Sequence, residues 1–454
     1  MENYMLKKCK IGVASIDNST RDIQNYFCTM KKKSQKKYIL VIGLTNPCFF
    51  GFYEKLREKY KSYELIWMRY KKNYEETYTH GFIIKIPQDI SRINYHLLTE
   101  DVSLTEIEIN KINNNREYRW AYENIMAVHP YDNPNMVRRS ILLTEYYFEK
   151  VYSIIQPAAV LMWNPYVSFN KIAENVAKRN NIKVAYMESG VLPGTISFST
   201  WGDLGESRPS KEPSYFMELP IDTNEINRAE EVINFLRDSG FNRNIQPKLQ
   251  TKVVLKPGRP TIFFAGQNDS ECGLVPFEKK TNEFSPCFRS SEEAMIFLAE
   301  IAYKNDWNFI YKPHPIVARH RLEQVAIPSN VIYIMQGDIN KLIDICDVCV
   351  TILSTTAYIS LIREKPVVML GKIQLNGQGC TYEAYNRDVI ERTIHEAVEN
   401  GYSLRQKENF KAHIARMCKY YLYDSFQKRD ISYGLSTDEA ISYINKLLEG
   451  EVLF

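Results

Sequence analysis

The stretch Asp347-Val348-Cys349-Val350-Thr351-Ile352-Leu353-Ser354-Thr355-Thr356, followed by an apolar helical run and then by Lys365-Pro366-Val367-Val368-Met369-Leu370-Gly371, decides the fold. Val348 to Ile352 is a short, continuous apolar run, the pattern of a parallel strand buried on both faces. Ser354, Thr355 and Thr356 place hydroxyls where a helix begins, and Thr356 to Arg363 continues as that helix. Pro366 to Leu370 is the next buried strand. Strand, helix and strand in succession predict a doubly wound parallel sheet.

The same rhythm extends outward in both directions. Upstream, Thr261-Ala265 reads as a strand, Ser291-Lys304 as a helix, Phe309-Tyr311 and Val331-Ile334 as strands, and Ile339-Ile345 as a helix. A separate series opens at Tyr38-Ile39-Leu40-Val41-Ile42-Gly43, with an Asn46-Pro47 turn and a helix through Leu56. It resumes with Ala158-Trp163 as a strand, Val167-Arg179 as an amphipathic helix and Lys183-Met187 as a strand. Between Pro193 and Pro220 the chain is rich in Gly, Ser, Pro and Thr, which predicts an irregular segment. Asn224-Ser239, Arg387-Asn400 and Thr437-Leu448 read as helices, the last opened by Ser436-Thr437-Asp438-Glu439.

The expected class is α/β, with two Rossmann-like doubly wound domains facing a cleft. Residues 1–35 form an N-terminal extension, 36–245 the first domain, 246–260 a Pro-punctuated linker, 261–435 the second domain, and 436–454 a helix packing back on the first domain. In open α/β sheets ligands bind beyond the carboxyl ends of strands, so the chemistry is expected between the domains.

Composition narrows the function. Lys and Arg total 58 against 54 Asp and Glu, too even a balance to make nucleic acid the default partner. Nine cysteines, an odd number without framework spacing, fit a reducing compartment. The first residues lack the apolar core of a signal peptide and no stretch reaches the roughly 20 apolar residues of a membrane span, so a cytoplasmic protein is expected. Cys346 and Cys349 have CxxC spacing but no second ligand pair, and the seven His show no i, i+4 pairing, so no metal site is expected. The lysines before Tyr38 read as a solvated tail.

Four segments place chemistry at strand ends. Asn308-Phe309-Ile310-Tyr311-Lys312-Pro313-His314-Pro315 runs a strand into a cation and an imidazole fixed by two prolines. Ser354, Thr355 and Thr356 offer hydroxyls and backbone N–H groups to an anion, or serve simply as caps. Together with Lys312 and His314 they suit one phosphate, and the absence of a Walker pattern argues against a magnesium triphosphate. Ile262-Phe263-Phe264-Ala265-Gly266-Gln267-Asn268-Asp269 empties a strand into a turn where Gly266 permits close approach and Asp269 is either a nucleophile or a turn-closing group. Tyr186-Met187-Glu188-Ser189-Gly190 places Glu188 directly after a strand, as a site carboxylate or a solvated one.

Taken together, Glu188-Ser189-Gly190 with Leu192-Pro193-Gly194-Thr195, Gly266-Gln267 with Asp269, Lys312-Pro313-His314-Pro315, and Ser354-Thr355 before Lys365-Pro366-Val367-Val368 resemble the bacterial capsule polysaccharide biosynthesis proteins. The resemblance covers roughly residues 155–385 and extends to the glycine-containing loop from Gly371 to Thr381. It implies a glycosyltransferase-B-like architecture and a retaining transferase that moves Kdo or a related ulosonic acid from a CMP-sugar to a glycan or glycolipid acceptor. It further implies Asp269 as nucleophile, Glu188 as acid/base and His314 at the donor phosphate, with Gly266, Gln267, Lys312, Ser354, Thr355 and Thr356 lining the donor site. Between Ser197 and Ser207, Ser199 and Trp201 stand where a more acidic stretch is expected. A CMP-sugar carries one phosphodiester, which Lys312, His314 and a helix N-terminus can neutralise with no metal or other cofactor. Arg319, His320 and Arg321 are candidates for the ulosonic carboxylate. Peripheral contact with the inner membrane or with other polysaccharide assembly proteins is also implied. Two further readings stand beside this one: a glycerophosphotransferase of teichoic-acid type, which also expels CMP, and a non-catalytic nucleotide-sugar-binding assembly partner.

Overall fold

The computed structural model describes residues 10–31, 36–43, 50–59, 61–69, 82–85, 103–243, 246–248, 253–274, 285–315, 326–425 and 431–451. The chain forms two compact units, one of Met1–Glu188 with Thr437–Leu453 and one of Ser189–Ser436 with Phe454. Both are α/β and both are built on parallel sheets, the class that the alternating strands and helices predict.

In the first unit, β1 (Lys37–Ile42), β2 (Tyr63–Arg69), β3 (Phe82–Lys85), β4 (Ala159–Met162) and β5 (Lys183–Ser189) lie in the order β5-β4-β1-β2-β3. All four pairings are parallel. The helices are α1 (Lys10–Lys31), α2 (Phe50–Lys59), α3 (Glu106–Asn114), α4 (Arg116–Val128), α5 (Pro134–Ile155) and α6 (Ser168–Arg179). The extension expected before residue 36 is not merely a tail: α1 packs on α5, and its Ile16, Ile23 and Phe27 are buried. The lysines Lys32 and Lys33 and the Asn46-Pro47 turn lie outside the described residues.

The second unit begins with β6 (Thr195–Ser199), a 3₁₀ turn at Leu204–Glu206, and helices α7 (Arg208–Lys211), α8 (Pro213–Glu218) and α9 (Thr223–Ser239). This corrects the irregular segment expected from Pro193 to Pro220. Thr195-Ile196-Ser197-Phe198-Ser199 alternates apolar and hydroxyl residues, with Ile196 and Phe198 buried, and Pro209 and Pro213 stand in the first turns of α7 and α8, where proline starts a helix.

The main sheet of this unit contains β7 (Thr261–Ala265), β8 (Asn308–Lys312), β9 (Val331–Tyr333), β10 (Val348–Thr351), β11 (Val367–Met369) and β12 (Tyr382–Glu383), in the order β12-β11-β10-β7-β8-β9. Its helices are α10 (Ser291–Lys304), α11 (Ile339–Ile345), α12 (Thr356–Ile362), α13 (Arg387–Asn400) and α14 (Leu404–Tyr420). β13 (Leu422–Asp424) pairs antiparallel with β6, and α15 (Thr437–Glu449) closes the chain within the first unit, against α2. The second unit thus reaches back to Ser189, well before the 246–260 linker expected from composition, and α9 packs on α14 inside it.

The strand order creates one decisive feature. From β7 the chain steps outward through β8 and β9, then returns to the other side of β7 and steps outward again through β10, β11 and β12. The order therefore reverses between β7 and β10. Loops leaving two such strands diverge, and the crevice between their carboxyl ends is where open α/β sheets take ligands.

Candidate functional site

A cavity of about 540 Å³ opens at that reversal, within the size range of small-molecule sites. Its walls come from the exits of four strands of the second unit: Ala265 and Gly266 after β7, Lys312 to Pro315 after β8, Met335 and Gln336 after β9, and Ser354 to Thr356 after β10. Ile339 and Ile359 of α11 and α12, with Val191, Pro193, Asn242, Arg243, Gln246 and Pro247, complete the lining. No aspartate or glutamate is among these residues.

Strand register brings the groups together. Ala265 pairs with Lys312, and Gly266 N donates to Lys312 O at 2.9 Å. A Cβ on Gly266 would lie 3.1 Å from Pro313 Cα and 3.1 Å from the Tyr311 ring, so a side chain there would press the exits of β7 and β8 apart by a few tenths of an ångström. Lys312 is buried and forms no salt bridge among the described residues. Burial lowers its pKa from the ordinary lysine value. Burial, with the neighbouring Lys312 charge, pushes His314 down to about 4. The cavity therefore sets a lysine whose charged form is disfavoured by burial beside an imidazole that is neutral at neutral pH. The hydroxyls add a third element. Ser354 Oγ donates to Thr356 Oγ1 at 2.9 Å and accepts from Thr356 N at 3.2 Å, while Ser354 N donates to Thr351 Oγ1 at 3.3 Å. Buried ammonium, imidazole and hydroxyls facing one space suit an anion with several oxygen acceptors.

Of the residues expected at a donor site, Gly266, Lys312, His314, Ser354, Thr355 and Thr356 converge on this cavity, and Gln267 and Asp269 do not line it. Gln267 is buried and spans the reversal: its Oε1 accepts from Leu353 N at 2.7 Å and its Nε2 donates to Cys272 Sγ at 3.2 Å. Asp269 is 3 % exposed, its Oδ2 accepting from Ser291 N at 2.8 Å and its Oδ1 from Ser291 Oγ at 2.6 Å. Ser291 Oγ also accepts from Gln267 N at 3.3 Å. Asp269 thus anchors the first residue of α10 through both of its oxygens, which is the turn-closing alternative of the sequence reading. Glu188, half-buried at the end of β5, belongs to the first unit. Arg319, His320 and Arg321 lie outside the described residues. Among the described residues no group of three His, Cys, Asp or Glu is placed to hold a metal ion, and no helix is long and apolar enough to cross a membrane.

Sequence reading missed Arg243, Gln246, Met335 and Gln336. They stand in loops without a motif, and only the topology that carries the chain past the β7 exit collects them.

Two outcomes are expected. Asp269→Asn turns one carboxylate oxygen into an amide that faces a donor, so unfolding in denaturant should show a loss of about 2 kcal/mol; unchanged stability with abolished turnover would instead make Asp269 a reacting group. His314 is held neutral in the folded protein, so its contribution to stability is complete above about pH 6.5 and is lost as pH falls through about 4. His413, pushed by burial and by Arg416 to about 3, adds acid lability of the same sign. His314→Gln should flatten part of the decline in stability between pH 6.5 and 4 and leave the curve above pH 7 unchanged; an identical acid limb would contradict the buried-neutral assignment.

Residues 287–420 match the family model described as capsule polysaccharide biosynthesis protein. The match includes Lys312, His314 and Ser354 to Thr356 and begins after Gly266, Gln267 and Asp269. A search of curated proteins finds no match. Among solved structures, the chain is similar to the beta Kdo 2,4 transferase KpsC of Thermosulfurimonas dismutans, at 17% identity over 57% of this chain and 79% of that one, TM-score 0.41. It is also similar to the beta Kdo 2,7 transferase KpsC of the same organism, at 18% identity over 66% and 89%, TM-score 0.41. For UGT89C1 of Arabidopsis thaliana, solved with UDP, the figures are 10%, 91% and 100%, TM-score 0.38. At these values the structural likenesses say nothing of what this chain acts on. With the family match falling on the cavity's own Lys312, His314 and Ser354 to Thr356, the chain resembles the capsule polysaccharide biosynthesis proteins, as its motifs indicate.

Proposed function

We infer that the cavity of the second unit is the donor site of a glycosyltransferase of capsule or surface polysaccharide synthesis, and that the donor is a CMP-sugar, Kdo or a related ulosonic acid. The observation that carries this reading is the convergence of Lys312, His314 and the Ser354-Thr356 hydroxyls at the sheet's reversal point, on residues within the family match. A nucleoside monophosphate leaving group presents one phosphate. The buried ammonium offsets the charge that grows on it as the glycosidic bond breaks, and His314 and the hydroxyls donate to its oxygens. In this reading the transfer needs no metal. The apolar part of the wall, with Met335, Ile339 and Pro313, gives the base a surface to pack on.

The proposal does not route the reaction through Asp269, whose oxygens hold Ser291. It leaves stereochemistry to the product. Release of CMP from a CDP-alcohol would use the same phosphate groups, so product analysis separates a glycosyltransferase from a glycerophosphotransferase.

The test is calorimetric binding of CMP to the full chain and to the His314→Ala and Lys312→Met variants. Each variant should bind CMP more weakly by about 1.5–3 kcal/mol, the range of a hydrogen bond to a charged group. Wild-type affinity in both folded variants would remove the phosphate from this cavity. Adding EDTA should leave transfer unchanged; loss of activity restored by Mg²⁺ would point to a diphosphate donor.

A further inference from the structure

The cavity holds a second cation that the phosphate reading does not use. Arg243, between α9 and β7, is exposed on the wall, and its Nη2 donates to Gly190 O at 2.6 Å and to Ser189 O at 3.4 Å. These two carbonyls hold one edge of the guanidinium. Among the described residues no salt bridge occupies the rest. Asp203, half-buried, interacts with it electrostatically: burial pushes that carboxyl up to about 6, against the opposing pull of the Leu204 backbone N–H and of Arg243. Arg243 and Lys312 line the same cavity of about 540 Å³, a size that takes one small-molecule ligand. Two cations and no carboxylate on one wall favour a ligand with two separate negative groups.

We propose that Arg243 is the specificity-determining residue that reads a second anionic group on the ligand, while Lys312 takes the phosphate next to the nucleoside. Resting on the donor reading above, that second group is the carboxylate of the ulosonic acid. The guanidinium fork suits a planar carboxylate, and its tether to the Ser189 and Gly190 carbonyls fixes it before the ligand arrives.

The experiment compares two ligand pairs on wild type, Arg243→Met and Arg243→Lys, by calorimetry on the full chain. One pair is a CMP-ulosonic acid and its carboxamide, which differ by one charge at the sugar; the other is UDP and UMP. The wild type should prefer the CMP-ulosonic acid to its carboxamide by about tenfold or more. Arg243→Met should bring the two within twofold of each other while binding the carboxamide as the wild type does, and Arg243→Lys should keep part of the preference. If Arg243→Met weakens both members equally, Arg243 only shapes the loop and the proposal fails, whereas the donor reading stands. If the cytidine pair does not bind but UDP is preferred to UMP through Arg243, the donor reading fails and the second-anion role stands. If neither pair binds the wild type, both fall.

Discussion

The Gln267 side chain joins the exits of two strands that the chain visits from opposite directions. Its Oε1 receives Leu353 N at 2.7 Å just where the sheet order reverses between β7 and β10. The loops leaving these strands must part, and a buried amide bridging them fixes how far. Ser291 extends the same brace: its hydroxyl links Gln267 N to Asp269, and Asp269 in turn holds the first N–H of α10. The exits of β7 and β10, which line the cavity, are joined through this network. Gly266 lets β8 approach, β8 delivers Lys312 and His314, and the β10 exit delivers Ser354 to Thr356.

Electrostatics then follow from burial. An ammonium and an imidazole taken partly out of water both lose affinity for protons, and the Lys312 charge lowers that of His314 further. Such an arrangement costs stability when empty and is relieved by an anion, which is the behaviour of a binding site rather than of a structural ion pair. Structural charge clusters in this protein look different. Glu174, in the first unit, is ringed by Lys171 and Lys178 and accepts from Tyr186, which overcomes its burial and holds it down to about 2.

Much of the second unit was legible because its strands are continuous apolar runs with hydroxyl or glycine exits: Thr261–Ala265, Ser291–Lys304, Ile339–Ile345 and Arg387–Asn400 have the bounds that periodicity and caps predict. The cavity residues Gly266, Lys312, His314 and Ser354 to Thr356 were legible for the same reason, since strand ends can be read from one sequence. What stayed hidden depends on pairing at a distance. β6 alternates hydroxyl and apolar residues inside a Gly-, Ser- and Pro-rich stretch, and its pairing with β13 joins it to residues more than two hundred positions later. Helix α1 carries its apolar face at Ile16, Ile23 and Phe27, a spacing that a lysine-rich flank obscures. The partner of Asp269 was not legible, because a carboxylate after a strand looks the same whether it faces a ligand or holds the next helix, and Ser291 lies 22 residues on.

The central claim is that a nucleotide phosphate sits among Lys312, His314 and the Ser354-Thr356 hydroxyls, above the Gln267 brace. A crystal structure of the full chain with CMP tests it most directly. The account predicts phosphate oxygens within hydrogen-bond distance of Lys312 Nζ, the His314 ring and Ser354 or Thr356, with Asp269 still bound to Ser291. A phosphate elsewhere in the chain, or Asp269 released from Ser291 and turned toward the ligand, would contradict it.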